Sequence, residues 1–95
     1  MEHEYSRMKE KEEDIVKKNI KTTIGNNVKK LMQKKNMSNS DLARLLGIKT
    51  GSDYINRIIN GNISIGVERL CQLSVVLGVE VDFLIKPHDY IFYED

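Results

Sequence analysis

The chain has 95 residues and a mass of 11.0 kDa, which is enough for one small domain. Hydrophobic residues make up 40% of it and charged residues 31%, and no apolar run approaches the roughly 20 residues that span a bilayer. A single cysteine, Cys71, excludes an internal disulfide, and no cluster of Cys and His offers metal ligands. The sequence pairs no nucleophile with a base and has no glycine-rich phosphate loop. We therefore expect a cytoplasmic binding module that has no membrane segment, metal or cofactor, rather than an enzyme.

The net charge of +1 hides an uneven distribution along the chain. Residues 22–49 carry six basic side chains against Asp41 alone, a net charge of +5. Residues 50–95 carry three basic and seven acidic side chains, a net charge of −4. A positive stretch attracts the phosphate backbone of a nucleic acid, but an ordinary solvated helix face has the same composition. Charge alone leaves both interpretations open.

Apolar spacing and capping residues predict an all-α domain of five short helices joined by tight turns. The first predicted helix runs from Thr23 to Lys35, with its lysines on the outer side. Its buried face is expected to consist of Ile24, Val28, Leu31 and Met32.

The second predicted helix begins after Ser38, a residue type that favours the N-cap position. Asp41 stands three residues later, where it completes a capping box. Gly47 ends the helix because glycine adopts the left-handed conformation that the C′ position requires. The apolar side of this helix is expected to consist of Leu42, Ala43, Leu45 and Leu46.

Glycines also delimit the next two predicted helices. The third begins between Thr50 and Ser52 and ends at Gly61, and its inward-facing residues are Ile55, Ile58 and Ile59. The fourth begins near Gly66 and ends at Gly78, and its inward-facing residues are Val67, Leu70, Cys71, Ser74 and Leu77. A short fifth helix covers residues 81–85, presents Val81 and Leu84, and stops before Pro87.

The two ends of the chain differ from the middle. Residues 1–21 form a charge-rich extension, which is either a helix that continues the first one or a disordered arm. Residues 22–86 form the globular domain, and residues 87–95 form a short tail that contains the apolar segment Tyr90–Tyr93. Such a segment is costly to leave in water, so it packs either on its own domain or on a second subunit.

Several short segments together resemble a known family. They are Ile24-Gly25, the run from Ser38 to Ile48, Ile55 to Ile58 with Gly61, Leu70, Leu77-Gly78-Val79 and Leu84. In this order and spacing they resemble the phage-repressor/Cro-type (XRE) helix-turn-helix family over residues 24–85. The resemblance implies a five-helix repressor-like domain whose second helix crosses the DNA backbone and whose third helix lies in the major groove. Ala43 is expected to be small because the two helices of the motif cross closely at that point.

The sequence departs from the family pattern at two places. Thirteen residues separate Gly47 from Gly61, about two more than is usual in the family, so the turn around residues 49–52 is longer. Ile59 stands where the family commonly has Glu, and Met32 occupies the position of its usual Arg partner. We interpret this pair as an apolar replacement of a half-buried ion pair.

The resemblance also implies which residues contact DNA. The side chains expected to face the bases are Ser52, Asp53, Asn56 and Arg57. Those expected to contact the sugar-phosphate backbone are Asn39, Lys49, Thr50, Tyr54, Asn60 and Asn62. Arg57 suits the O6/N7 edge of guanine and Asn56 suits adenine.

Four of these residues have a structural interpretation beside the functional one. Asp53 can stabilise the N-terminus of its helix, and Tyr54 can pack on the second helix. Asn60 and Asn62 flank Gly61, and asparagine is common in turns because it tolerates left-handed conformations.

One recognition helix reads only a few base pairs, whereas specific operators demand ~10³–10⁷ discrimination over random DNA. We therefore expect a homodimer that binds two half-sites of double-stranded DNA, acting as a small transcriptional regulator, most simply a repressor. The tail, and after it the N-terminal extension, are candidate dimer contacts. The alternative is an antitoxin-like interaction module on the same fold, which differs in that residues 86–95 bind another protein rather than a copy of themselves.

Overall fold

The computed structural model of the chain describes residues 19–88, and this range contains helices and turns but no strand. The five helices are α1 (residues 19–34), α2 (Asn39–Leu45), α3 (Ser52–Ile59), α4 (Val67–Leu77) and α5 (Val81–Leu84). The predicted all-α, five-helix fold is confirmed. The predictions for the N-terminal extension and for the apolar segment of the tail lie largely outside the described residues.

Helix α1 starts earlier than predicted. Residues 19–22 are already helical, so the predicted start at Thr23 falls inside α1. This stretch contains no glycine or proline to stop a helix, and Ile20 stands four residues before Ile24.

The capping box predicted for α2 is present. The backbone N–H of Asp41 donates to Oγ of Ser38 at 3.0 Å, and the backbone N–H of Ser38 donates to Oδ2 of Asp41 at 2.9 Å. Two N–H groups that would lack a partner at the start of the helix are therefore satisfied.

Helices α2 and α3 end in the same way. Gly47 has φ +76° and Gly61 has φ +69°, as predicted for glycines at C′. After α2, the N–H of Ile48 donates to the carbonyl oxygen of Ala43 at 2.9 Å, and after α3 the N–H of Asn62 donates to that of Arg57 at 2.9 Å. These are Schellman turns, which satisfy the last carbonyl groups of each helix and reverse the chain sharply.

The core lies between all five helices and is made of apolar side chains. Its buried members are Ile24, Val28, Leu31, Met32, Leu42, Ala43, Ile55, Ile58, Leu73, Leu77 and Leu84. The predicted inner faces of α1 and α3 are therefore confirmed, with Ile59 half-buried at the edge of the core.

Two other predicted faces are wrong in part. In α4 the side chains of Val67 and Cys71 are exposed, Val67 to 77%, whereas Leu73, which the prediction omitted, is buried together with the predicted Ser74 and Leu77. In α2 the side chain of Leu45 is 56% exposed. Apolar residues occupy more than one side of each of these helices. Only one side is buried, namely the side that packs against α3 in the case of α2 and against α5 in the case of α4.

Candidate nucleic-acid interface

Helix α3 has one apolar side and one polar side. Ile55 and Ile58 are exposed to only 0% and 1%, and they fix the helix against the core. The four side chains predicted to face the bases stand at positions i, i+1, i+4 and i+5 of the helix and are all exposed: Ser52, Asp53, Asn56 and Arg57. Within residues 19–88 none of the four makes a side-chain hydrogen bond or ion pair. The structure therefore brings them together on one accessible face.

Helices α2 and α3 approach each other closely at Ala43. A Cβ atom on buried Gly51, the residue before α3, would lie 2.9 Å from Cβ of Ala43 and 2.8 Å from Cβ of Ile48. This spacing supports the prediction that Ala43 is small because of a close crossing. It also explains why the turn from α2 into α3 carries a glycine at position 51.

A shallow groove of ≈ 590 Å³ runs between α2 and the turn into α3. Three of the predicted DNA contacts line it, namely Lys49, Thr50 and Ser52. The side chains of Ser40 and Arg44 in α2 line the same groove, and sequence reasoning did not select either of them. Arg44 could have been selected from the sequence, since it is one of the six basic residues in the positively charged stretch of residues 22–49.

Arg44 is not a free cation. Its guanidinium group forms an ion pair with the carboxylate of Asp41, one turn earlier in α2. The backbone N–H and the side chain of Ser38 bind the same carboxylate and lower the pKa of Asp41, with a further contribution from Arg44. Asp41 is thus held ionised, and its charge offsets that of Arg44 at the rim of the groove.

The remaining predicted backbone contacts lie at helix ends. Asn39 is the first residue of α2 and is half-buried. Asn60 and Asn62 are exposed on either side of Gly61, where α3 ends. Asn60 itself has φ −84°, so the left-handed residue of this turn is Gly61, and asparagine is not needed at position 60 for turn geometry.

Tyr54 lies apart from the polar face of α3. Its side chain is half-buried against the core, and the guanidinium carbon of Arg69 in α4 lies 5.4 Å from the centre of its ring. Arg69 also donates to Oε1 of Gln72 at 2.8 Å. The ring of Tyr54 therefore contacts α4 through a cation–π interaction that no local sequence signal indicates.

Two general features of the described residues bear on function. No helix in residues 19–88 is long and apolar enough to cross a membrane. Nor does this part of the chain hold a group of three or more His, Cys, Asp or Glu side chains placed to bind a metal ion.

Comparison with known proteins identifies the family. The helix-turn-helix family model matches residues 28–84, which include the C-terminal part of α1 and all of α2–α5. No curated protein and no solved structure matches the chain. The family match covers more than half of the chain and agrees with the XRE-type resemblance of the sequence. The chain belongs to the Cro- and repressor-type helix-turn-helix family of DNA-binding transcriptional regulators.

Proposed function

We propose that the chain represses transcription by binding a specific site in double-stranded DNA as a homodimer, with α3 in the major groove. The observation that carries this proposal is the polar face of α3. Its four side chains are exposed and have no hydrogen-bond partner within residues 19–88, so they keep their donors and acceptors for base edges.

The side chains of this face differ in what they can read. The two terminal N–H groups of Arg57 fit the O6 and N7 acceptors of guanine, and the amide of Asn56 fits N6 and N7 of adenine. The hydroxyl of Ser52 pairs with either kind of edge, and the carboxylate of Asp53 accepts from the amino group of cytosine. A carboxylate near phosphates is repelled, so Asp53 selects against sites that offer no amino group to it.

The backbone contacts are assigned to residues around this face. Lys49 and Thr50 lie in the turn before α3, and Asn39 opens α2, a position that suits a phosphate group because the N-terminus of a helix favours negative charge. Asn60 and Asn62 follow α3, and Tyr54 reaches the backbone with its hydroxyl group. These contacts set the position of α3 and carry no sequence information of their own.

Dimerisation is proposed because one copy of the chain offers only a small surface to the bases. Helix α3 has eight residues, of which four form the polar face, so one copy reads only a few base pairs. Two copies related by a two-fold axis read half-sites whose centres are about 34–36 Å apart, or 10–10.5 base pairs. The gain in specificity comes from requiring both half-sites at once.

The test is a selection of bound sequences from a random pool of double-stranded DNA. The full chain should enrich an inverted repeat with half-sites about one helical turn apart. The control is the Ser52→Ala/Asn56→Ala/Arg57→Ala triple variant, which keeps the apolar side of α3 and should enrich no sequence while retaining salt-dependent binding. Enrichment of the same repeat by both proteins would show that α3 does not read the bases.

A further inference from the structure

An apolar groove of ≈ 380 Å³ lies where α1 meets the chain that leaves α5. It is lined by Asn19, Ile20, Thr22, Thr23, Ile85 and Pro87. The side chains of Ile20 and Ile85 are 41% and 40% exposed, although both are large and apolar. Ile20 also borders a second depression of ≈ 190 Å³, whose lining includes Lys21, Ile63 and Ile65. This apolar surface is separate from the polar face of α3, with which it shares no residue.

We propose that residues 90–93 of the same chain cover this groove. Pro87 is part of the groove wall, and the apolar segment begins three residues after it. An extended chain advances about 3.3 Å per residue, so Ile91 and Phe92 reach any point within about 13–17 Å of Pro87. So short a connection gives the segment a high effective concentration at its own groove.

The point from which the segment departs is fixed beside the groove. The ring of His88 stacks on that of Phe83 with centroids 3.8 Å apart, and its Nε2 donates to the carbonyl oxygen of Phe83 at 2.7 Å. His88 is therefore attached to α5 immediately before the segment begins. Less chain freedom remains to be lost when the segment binds.

The chemistry of the segment matches that of the groove. Tyr90, Ile91, Phe92 and Tyr93 are consecutive apolar or aromatic residues, and the surface offers Ile20, Ile85 and Pro87. Glu94 and Asp95 follow the segment, and Lys21 stands at the edge of the surface as their opposite charge. A segment bound in this way buries its own apolar side chains together with those of Ile20 and Ile85.

Disulfide trapping tests the proposal in the full chain. Cys71 is the only cysteine, so Cys71→Ser gives a background without thiols. Into this background Asn19→Cys places a thiol at the groove and Glu94→Cys places one after the segment. The control pair replaces Asn19→Cys by Gln33→Cys, which is also exposed on α1 but lies about 21 Å further along its axis.

We expect the Asn19→Cys/Glu94→Cys pair to form an intramolecular disulfide at least ~10-fold faster than the control pair, at a rate independent of protein concentration. Adding Ile91→Ser/Phe92→Ser should reduce that rate to the rate of the control, because the apolar side chains hold the segment in place. Equal rates for the two pairs would overturn the proposal, and so would a rate that these two serines leave unchanged. A disulfide between chains, formed faster at higher concentration, would instead place the segment on a second copy. None of these outcomes depends on DNA, so they are distinct from a failure of the proposed function.

Discussion

The side-chain amide of Asn27 in α1 donates a hydrogen bond of 2.8 Å to the carbonyl oxygen of Leu84, the last residue of α5. The same nitrogen lies 2.8 Å from the carbonyl oxygen of Lys86 and 3.2 Å from that of Phe83. An amide has two N–H groups, so the three acceptors share them. Since α5 is only four residues long, its terminal carbonyls find few partners within the helix. One side chain, exposed to 2%, thus satisfies the end of α5 and attaches it to α1.

Replacing this amide should destabilise the domain. Asn27→Ala leaves buried carbonyl oxygens without a donor and creates a small cavity, so we expect a loss of about 1–3 kcal/mol in the free energy of unfolding. Urea denaturation followed by circular dichroism measures it. Asn26→Ala, one position earlier on the exposed side of α1, should stay within about 0.5 kcal/mol of the wild type. Equal effects of the two substitutions would mean that the Asn27 contacts contribute nothing.

A second substitution should displace α3 from the side that packs against α1. A Cβ on Gly25 in α1 would lie 2.6 Å from the carbonyl oxygen of Ile59 and would collide with that of Ile58, at the C-terminal end of α3. Gly25→Ala must therefore displace α3 or α1, at a cost of about 1–3 kcal/mol, and should weaken DNA binding as well. Thermal unfolding and a DNA mobility shift measure the two effects.

Gly66 provides the matched control. A Cβ there meets nothing within 4 Å, and its φ of −71° suits any residue. Gly66→Ala should therefore leave both the unfolding temperature and DNA affinity nearly unchanged. If Gly25→Ala changes the unfolding temperature and DNA affinity as little as Gly66→Ala does, the close approach of α1 to the end of α3 does not restrict the residue type at position 25.

The helix ends were predictable because the interactions that form them are local. The capping box joins Ser38 to Asp41 across three residues, and the turns at Gly47 and Gly61 close within five residues of chain. Residue type and spacing are sufficient for such features. The exposed polar face of α3 was predictable for a similar reason, since Ile55 and Ile58 fix which side of an eight-residue helix is buried.

Features that depend on packing between distant segments could not be predicted. Val67 and Cys71 fit a helical stripe as well as Leu73 does, and only the position of the neighbouring helices selects Leu73. The contact of Arg69 with Tyr54 depends on how α4 crosses α3. Asn27 is an intermediate case: its spacing places it on the buried face of α1, but its acceptors lie 56–59 residues away.

The capping box should make stability depend on pH below about 4. Hydrogen bonds from Ser38 lower the pKa of Asp41 in the folded state below its usual 3.8. The resulting stabilisation is complete above the unfolded pKa and is lost as the pH falls through the folded pKa. Urea midpoints of the wild type and of Asp41→Asn should therefore differ by a constant amount from pH 7 to about pH 5, and the difference should shrink toward pH 2. A difference independent of pH would show that the carboxylate charge is not what stabilises this helix end.

Arg57 should carry sequence preference rather than general affinity. Its guanidinium group is exposed in the last turn of α3 and makes no ion pair within residues 19–88, so Arg57→Ala removes no contact of the described fold. We expect the variant to keep its unfolding temperature and to lose about 1–3 kcal/mol of preference for the selected site over a shuffled one. Titrations at several salt concentrations with both DNAs measure the preference. Lys49→Ala is the comparison, because loss of a phosphate contact should weaken both complexes alike and reduce the slope of log K against log salt by about 1. If Arg57→Ala also weakens both complexes alike, Arg57 binds phosphate. Base recognition would then depend on Ser52, Asp53 and Asn56.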